Sequence, residues 1–405
     1  MRVEERLMRY VQFETTSDPE STSVPSTAVQ LAFAQLLAQE MSQLKVEDVR
    51  VSEYGYVYGT IPSNTKKTCP SVGLIAHMDT APDYSGKNVK PRLIQNYDGE
   101  DVQLNEQVVT RVKEFPEMKR FVGKDIIVTD GTTLLGADDK AGIAEIMTLA
   151  EILMQHPEIE HGPIQIGFTP DEEIGRGAEH FDVEGFKADF AFTIDGGLVN
   201  GVTDETFNAA EAKVIVTGVA VHPGSAKDIM INSLNVAQEF HHLLPHIERP
   251  EHTEGKEGFY HLDFMKGTCE RTEMSYILRN HDGHLLEEMK KQMVSNAELI
   301  NDRYGRKVID LKLRDQYRNM KEKLDEVPYV CELAEKAVKK AGHEVINEPA
   351  RGGTDGSTLT FMGLPCPNLG TGSAQHHGRH EVACVQEMEE MVQILLYLVQ
   401  EVLSV

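Results

Sequence analysis

Short, continuously apolar runs alternate along this chain with longer stretches whose apolar residues recur at helical spacing. Val3, Leu7, Tyr10 and Val11 share one side of a helix expected over residues 3–14. A Ser/Pro-rich loop then leads to a second helix from about Thr27 to Ser42. Strands are predicted at Val46–Ser52, Tyr56–Ile61 and Val72–Ala76; the last has no polar position, as in a strand buried on both faces. Residues 83–124 are polar, turn-rich and irregular, and a connection that long in a compact domain is usually functional or a surface excursion. Ile126–Thr129 leads through an Asp130-Gly131 turn to a helix with Ile143, Ile146, Met147, Ala150 and Leu153 on one face. Ile164–Phe168 and Phe190–Ile194 are further apolar strands.

The texture changes near Phe207. Lys213–Val219 alternates as a half-exposed strand. A helix (Ile231–Leu244), two strands (Gly258–Lys266, Thr272–Asn280), a second helix (His284–Tyr304) and a last strand (Lys307–Leu313) follow. That β-α-β-β-α-β order is the split βαβ pattern of a ferredoxin-like unit with its own core. The predicted organisation is therefore an α/β domain over 1–207 and 316–405, interrupted by an inserted domain over 208–315. Helix Pro328–Ala341 resumes the larger domain, Arg351–Gly356 makes a glycine-rich loop, and a last helix starts near Val385.

Composition narrows the function. The chain has 405 residues, 40% of them hydrophobic and 26% charged, and a net charge of −25. Nucleic acid and anionic membranes attract basic surfaces, so neither is expected as a partner. Five scattered cysteines without CxxC spacing fit a reducing compartment and argue against a thiolate zinc site or a disulfide framework. With no secretory pattern at the N-terminus and no apolar run of membrane-spanning length, a cytoplasmic protein is expected.

The chemistry collects just past the apolar strands. Val72–Ala76 runs into His77-Met78-Asp79, where the imidazole can bind a metal while Asp79 holds its other ring nitrogen. Asp138 and Asp139 open the next helix; one aspartate suffices as a cap, which leaves the other for metal. Ile164–Phe168 delivers Asp171-Glu172-Glu173, and Phe190–Ile194 ends in Asp195-Gly196-Gly197. An isolated acidic triplet is ordinarily a solvated turn. Here successive strand ends deliver His/Asp, Glu/Glu and Asp, which chance explains poorly. His77, Asp138, Glu173, Asp195 and one histidine of the 376–380 cluster form a candidate ligand set. Converging carboxylates repel unless cations lie among them, and two divalent ions sharing one carboxylate relieve the conflict. Oxygen and imidazole donors without thiolate suit zinc first, with Co2+ or Mn2+ as substitutes. Hydrolysis at such a centre also needs a carboxylate that is not a ligand, to take a proton from water and return it to the leaving amine. Glu172 has that position.

These motifs, with Gly136-Ala-Asp-Asp-Lys-Ala-Gly142, Arg351-Gly-Gly-Thr-Asp-Gly356 and His377-Gly-Arg-His-Glu381, resemble the dizinc exopeptidase family. That family contains aminoacylases, acetylornithine and succinyl-diaminopimelate deacylases, carboxypeptidase G and tripeptide aminopeptidases. The resemblance spans essentially the whole chain; the Asp83–Asn88 stretch and the RGGTDG loop point to the tripeptide aminopeptidase branch. It implies a mixed-sheet catalytic domain with an inserted ferredoxin-like lid and dimerisation domain, two Zn2+ per subunit, a short peptide substrate and a homodimer. By resemblance, His77 and Asp195 serve one zinc, Glu173 and His377 the other, and Asp138 bridges. His377 is preferred to His376 and His380 because the family's ligand lies four residues before a glutamate, here Glu381. Asp79 then orients His77, Glu172 is the general acid/base, and His222 polarises the scissile carbonyl, often from the partner subunit in similar enzymes. Arg279 and Arg351 match positions that bind the substrate's terminal carboxylate or backbone. Two segments depart from the branch: Gly370–His376 lacks the expected aromatic residues, and Glu100–Glu117 diverges. A carboxypeptidase or N-acyl-amino-acid amidohydrolase is the alternative within the same chemistry. A metal-free scaffold would predict a broken ligand set, and this set is intact.

Overall fold

The computed structural model describes all 405 residues and forms two compact units. One comprises Met1–Asp204, Met320–Glu348 and Thr354–Val405; the other comprises Glu205–Asn319 and Pro349–Gly353.

A seven-stranded mixed sheet organises the larger unit. Its spatial order is Glu47–Val51, Val57–Ile61, Ile164–Thr169, Val72–His77, Phe190–Gly196, Asn368–Gly370 and Val202–Thr203. The four strands from Ile164–Thr169 to Asn368–Gly370 are mutually parallel, and the outer strands each pair antiparallel with their neighbours. Parallel strands end at the same edge of a sheet, and chemistry in open α/β sheets sits at that edge. Val72–His77 and Ile164–Thr169 are buried at every position, which explains their unbroken apolar texture. Side chains alternate between faces: Val72, Leu74 and Ala76 join the largest core, with helices Val3–Tyr10, Ala137–Gln155 and Val385–Glu401, whereas Ile75 joins Tyr56, Tyr58, Phe181 and Phe186.

The excursion over 83–124 is more ordered than its composition predicts. It carries the short strand Arg92–Ile94, the pair Val102–Gln103 and Val109–Thr110, and a 3-10 helix, Pro116–Phe121. Arg92–Ile94 joins Ile126–Val128, Val382–Cys384 and Ser373–Ala374 in a second sheet. Tyr97, Met118 and Phe121 pack against Ile126, Val128 and Val382 to give this layer its own core. Strands of two or three residues leave almost no period in a sequence, and their order here comes from distant partners.

The smaller unit is an antiparallel four-stranded sheet in the order Phe259–Gly267, Arg271–Asn280, Asn208–Thr217, Ile309–Tyr317. Helices Ser233–His242 and Gly283–Arg303 complete the β-α-β-β-α-β sequence. Asn232 and Asp282 cap these helices, Asp282 by accepting from the His284 and Leu285 N–H groups. Ala210, Ala212, Val214 and Val216 point from the central strand into a core with Val236, Phe240, Met293 and Ile300. The two halves of the predicted fold class, a mixed α/β sheet and a ferredoxin-like unit, are both present.

Candidate metal centre

His77 stands at the end of its strand, in register with Thr169 of the neighbouring strand. Its Nε2 lies 2.9 Å from Asp138 Oδ1 and 3.4 Å from Asp195 Oδ1. The other oxygen of Asp138 lies 3.2 Å from His377 Nε2, which is 3.0 Å from Glu173 Oε2. Two three-residue groups thus share Asp138: His77, Asp138 and Asp195, then Asp138, Glu173 and His377, with the donor atoms of each group within 4.8 Å of one another. The remaining histidines of the C-terminal cluster have other partners, although His376 also faces Asp138. His376 Nε2 is 2.8 Å from Ser373 Oγ, with Nδ1 3.6 Å from Asp138. His380 Nδ1 is 2.9 Å from Thr110 Oγ1, and its ring leans on Phe115.

Backbone hydrogen bonds hold this arrangement. Asp79, fully buried, accepts from the N–H groups of Glu172 and Glu173 at 3.0 and 3.1 Å. Its Oδ1 is also 3.3 Å from His77 Nδ1, so one carboxylate ties the histidine to the acidic turn. Asp139 provides the expected helix-capping contact, accepting from Gly142 N–H, while its other oxygen accepts from His77 N–H. Asp171 belongs to the acidic triplet in sequence only. Its carboxylate turns away to accept from the Ser26 N–H and hydroxyl and from Gln30 Nε2.

Two contributors escape sequence reasoning. Glu381, at 1% exposure, accepts from the N–H groups of Leu135, Gly136 and Asp138 at 2.8, 2.7 and 2.9 Å, and so fixes the segment presenting Asp138. Its spacing to His377 was the only signal. Asp355 accepts from Thr169 Oγ1 at 2.7 Å beneath the acidic turn. Burial pushes its carboxyl up to about 7.

The electrostatics are those of a cation site. Burial opposes ionisation of Asp138, but His376, His377 and His77 outweigh it and hold the carboxyl well below the usual range. Burial, then the Asp138 carboxylate, pushes Glu173 up to about 7, and Glu173 Oε1 is buried with no hydrogen-bond partner. Hydrogen bonds to Asp138 and Glu173 raise the His377 imidazole to about 11. No lysine or arginine pairs with Asp138, Asp195 or Glu173; their ion pairs are all with imidazole. Converging carboxylates, imidazole nitrogens and an orphaned buried oxygen fit one divalent cation in each group with Asp138 between them.

A model of the family described as Peptidase family M20/M25/M40 matches residues 129–401. The chain belongs to this family. As an M20 peptidase it is 50% identical to peptidase T of Clostridium botulinum over 394 residues, 97% of both chains. In fold it resembles the aminopeptidase PepT of Bacillus cereus (TM-score 0.78, 23% identity, covering 99% and 98% of the two chains). It also resembles a dinuclear metal-binding M20 peptidase of Bacillus subtilis (TM-score 0.66, 13% identity, covering 99% and 98%). This M20 peptidase is a metallopeptidase of the peptidase T type, and no helix in it is long and apolar enough to cross a membrane.

His222, Arg279 and Arg351 lie in the smaller unit. His222 is exposed, its Nδ1 accepting from Gly224 N–H. Arg279 donates to the Leu278 carbonyl at 2.9 Å and faces the Tyr317 ring. Arg351 stands over both the Phe207 and Phe259 rings and donates to Gly255 O, Glu257 O and Thr253 Oγ1, which holds its guanidinium in one orientation.

Proposed function

We propose that this M20 peptidase removes the N-terminal residue of short peptides, tripeptides foremost, with zinc as its cation. In this reading His77 and Asp195 hold one ion, Glu173 and His377 the other, and Asp138 is shared. The observation that carries it is the division of Asp138, one oxygen toward His77 and the other toward His377. Two divalent ions so held supply Lewis acidity and lower the pKa of water.

The remaining work falls to the chain. Glu172 sits beside Glu173 with its backbone fixed by Asp79. Burial, reinforced by the Asp195, Asp355 and Glu173 carboxylates, holds its carboxyl well above the usual range. A carboxylate so placed takes a proton readily and passes it to the departing amine. Asp79 keeps His77 in orientation through the contact at Nδ1. His222 is assigned to polarising the scissile carbonyl, and Arg279 and Arg351 to the substrate's carboxylate or backbone, where a guanidinium fork suits an anionic end. The smaller unit is assigned to covering substrate and pairing two copies of the chain. All five cysteines are free, which favours a reducing, cytoplasmic setting.

The test pairs two measurements. Glu172→Gln should lower turnover of Ala-Ala-Ala by roughly 10²–10⁴-fold while two equivalents of zinc remain bound; undiminished turnover would overturn the role. N-acetylated Ala-Ala-Ala should resist cleavage and C-amidated peptide should be tolerated better. Activity that survives acetylation would exclude an aminopeptidase.

A further inference from the structure

Two segments of chain each supply a ligand to a different ion of the proposed centre. One is the end of the strand Phe190–Gly196, which carries Asp195; the other is the stretch after Asn368–Gly370, which carries His377. They run backbone against backbone. Thr371 donates to Gly196 O from both its N–H and its hydroxyl, at 2.7 and 2.8 Å, and Gly372 N–H donates to Gly197 O at 3.1 Å. A Cβ on Gly370 would fall 1.6 Å from Leu198 O, so this approach excludes any other residue there.

The two strands pair in the sheet and Asn368 Oδ1 accepts from the Asp195 N–H at 3.2 Å; past the strand ends, a side chain from the 83–124 excursion also joins the two backbones. Arg120 Nη2 donates to Gly197 O at 3.2 Å and to Ser373 O at 2.8 Å. Its guanidinium lies 3.6 Å from the buried Glu387 carboxylate, which also accepts from Lys124 Nζ at 2.9 Å. Glu387 belongs to the C-terminal helix Val385–Glu401, so the clamp is anchored in the main core. A planar guanidinium with several donors can hold two carbonyls at a set separation; an ammonium is a point charge and holds them less firmly.

We infer that Arg120 is a positioning residue that fixes the spacing between the His377 loop and the end of the Asp195 strand where the sheet pairing stops, and with it the fit of the chain to a pair of ions. This rests on the reading of Asp195 and His377 as ligands to different ions. Ligand positions must be held to within about 0.5 Å, and loss of an outer partner typically weakens metal binding about 10–100-fold. Such a clamp gives the long excursion a use unrelated to substrate contact.

The experiment titrates metal-free full-length protein with Mn2+, followed by calorimetry and by electron paramagnetic resonance, which reports magnetic coupling between neighbouring ions. Wild type should take up two equivalents and show a coupled pair. Arg120→Ala should keep the first equivalent within about twofold, weaken the second about tenfold or more, and broaden or abolish the coupled signal. Arg120→Lys should fall between, and Glu387→Gln should act in the same direction as Arg120→Ala by a smaller factor. A merely structural arginine would lower the melting temperature and leave stepwise affinity and coupling alone. His377→Ala serves as the control and should lose one equivalent. If wild type binds fewer than two ions, or His377→Ala still binds two, the ligand reading falls and the inference with it. If both behave as expected and Arg120→Ala and Arg120→Lys match wild type in affinity and coupling, the inference alone is overturned.

Discussion

Replacing Glu381 by glutamine isolates the contribution of a residue that contacts neither substrate nor proposed ion. The Glu381 carboxylate serves three backbone donors, Leu135 and Gly136 through Oε2 and Asp138 through Oε1. Glutamine has a single acceptor oxygen and an NH2 group of the same size. If the oxygen keeps Leu135 and Gly136, the NH2 faces the Asp138 N–H donor; if it turns over, two donors are opposed. The better choice still sacrifices one hydrogen bond to a charged acceptor and leaves a buried N–H unsatisfied. Those effects are worth about 1.5–3 and about 1–3 kcal/mol, with partial overlap, so roughly 3 kcal/mol is expected. Glu381 is itself held above the usual carboxylate range, chiefly by burial. The neutral amide therefore avoids some desolvation, and about 2 kcal/mol remains. Because the strained segment is the one that presents Asp138, the loss should appear in metal affinity as a factor of about 30. Zinc competition against a chromophoric chelator measures it directly, with circular dichroism to show that the fold persists. An affinity within twofold of wild type would refute the view that Glu381 sets Asp138.

Other consequences can be checked together. Glu145 is fully buried in helix Ala137–Gln155 with both oxygens unpartnered, and burial pushes its carboxyl well above the usual 4.5. The folded chain therefore keeps a proton that the unfolded chain releases. Its stability contribution is complete below about pH 4.5 and is lost as pH rises toward the folded value. Glu145→Met should thus raise stability more at about pH 8 than at about pH 5, by at most about 1.4 kcal/mol per pH unit; a denaturation midpoint gain independent of pH would contradict this. Chelation should abolish peptidase activity and lower the melting temperature, by an amount equivalent to about 2.7 kcal/mol per site when free metal had stood at 100 times Kd. Secondary structure should survive, because the apolar cores include none of the proposed ligands; far-ultraviolet circular dichroism decides.

Much of this was legible because parallel strands buried on both faces write themselves as apolar runs, and the polar residue that ends each run marks the functional edge. His77, Glu173 and Asp195 became candidates that way. The choice among His376, His377 and His380 was not legible from the residues: the three share one loop, and only in the fold does His377 reach both Asp138 and Glu173, while His376 also bonds Ser373 and His380 bonds Thr110. Asp171 was indistinguishable from its two neighbours until Ser26 and Gln30 drew it aside. Glu381 works through backbone N–H groups, which every sequence possesses, so no residue type announced its partners. Arg92–Ile94 depends on pairing with Ile126–Val128, a relation between segments that no local window contains.

The long segment of the smaller unit begins and ends on adjacent strands: Ala209 stands opposite Tyr317 in the register. Cutting the gene at those two points would free a segment whose ends already touch and whose interior is complete. Such a cassette can be gained, lost or exchanged by recombination without threading the host chain anew, and it should be expressible alone as a miniature protein.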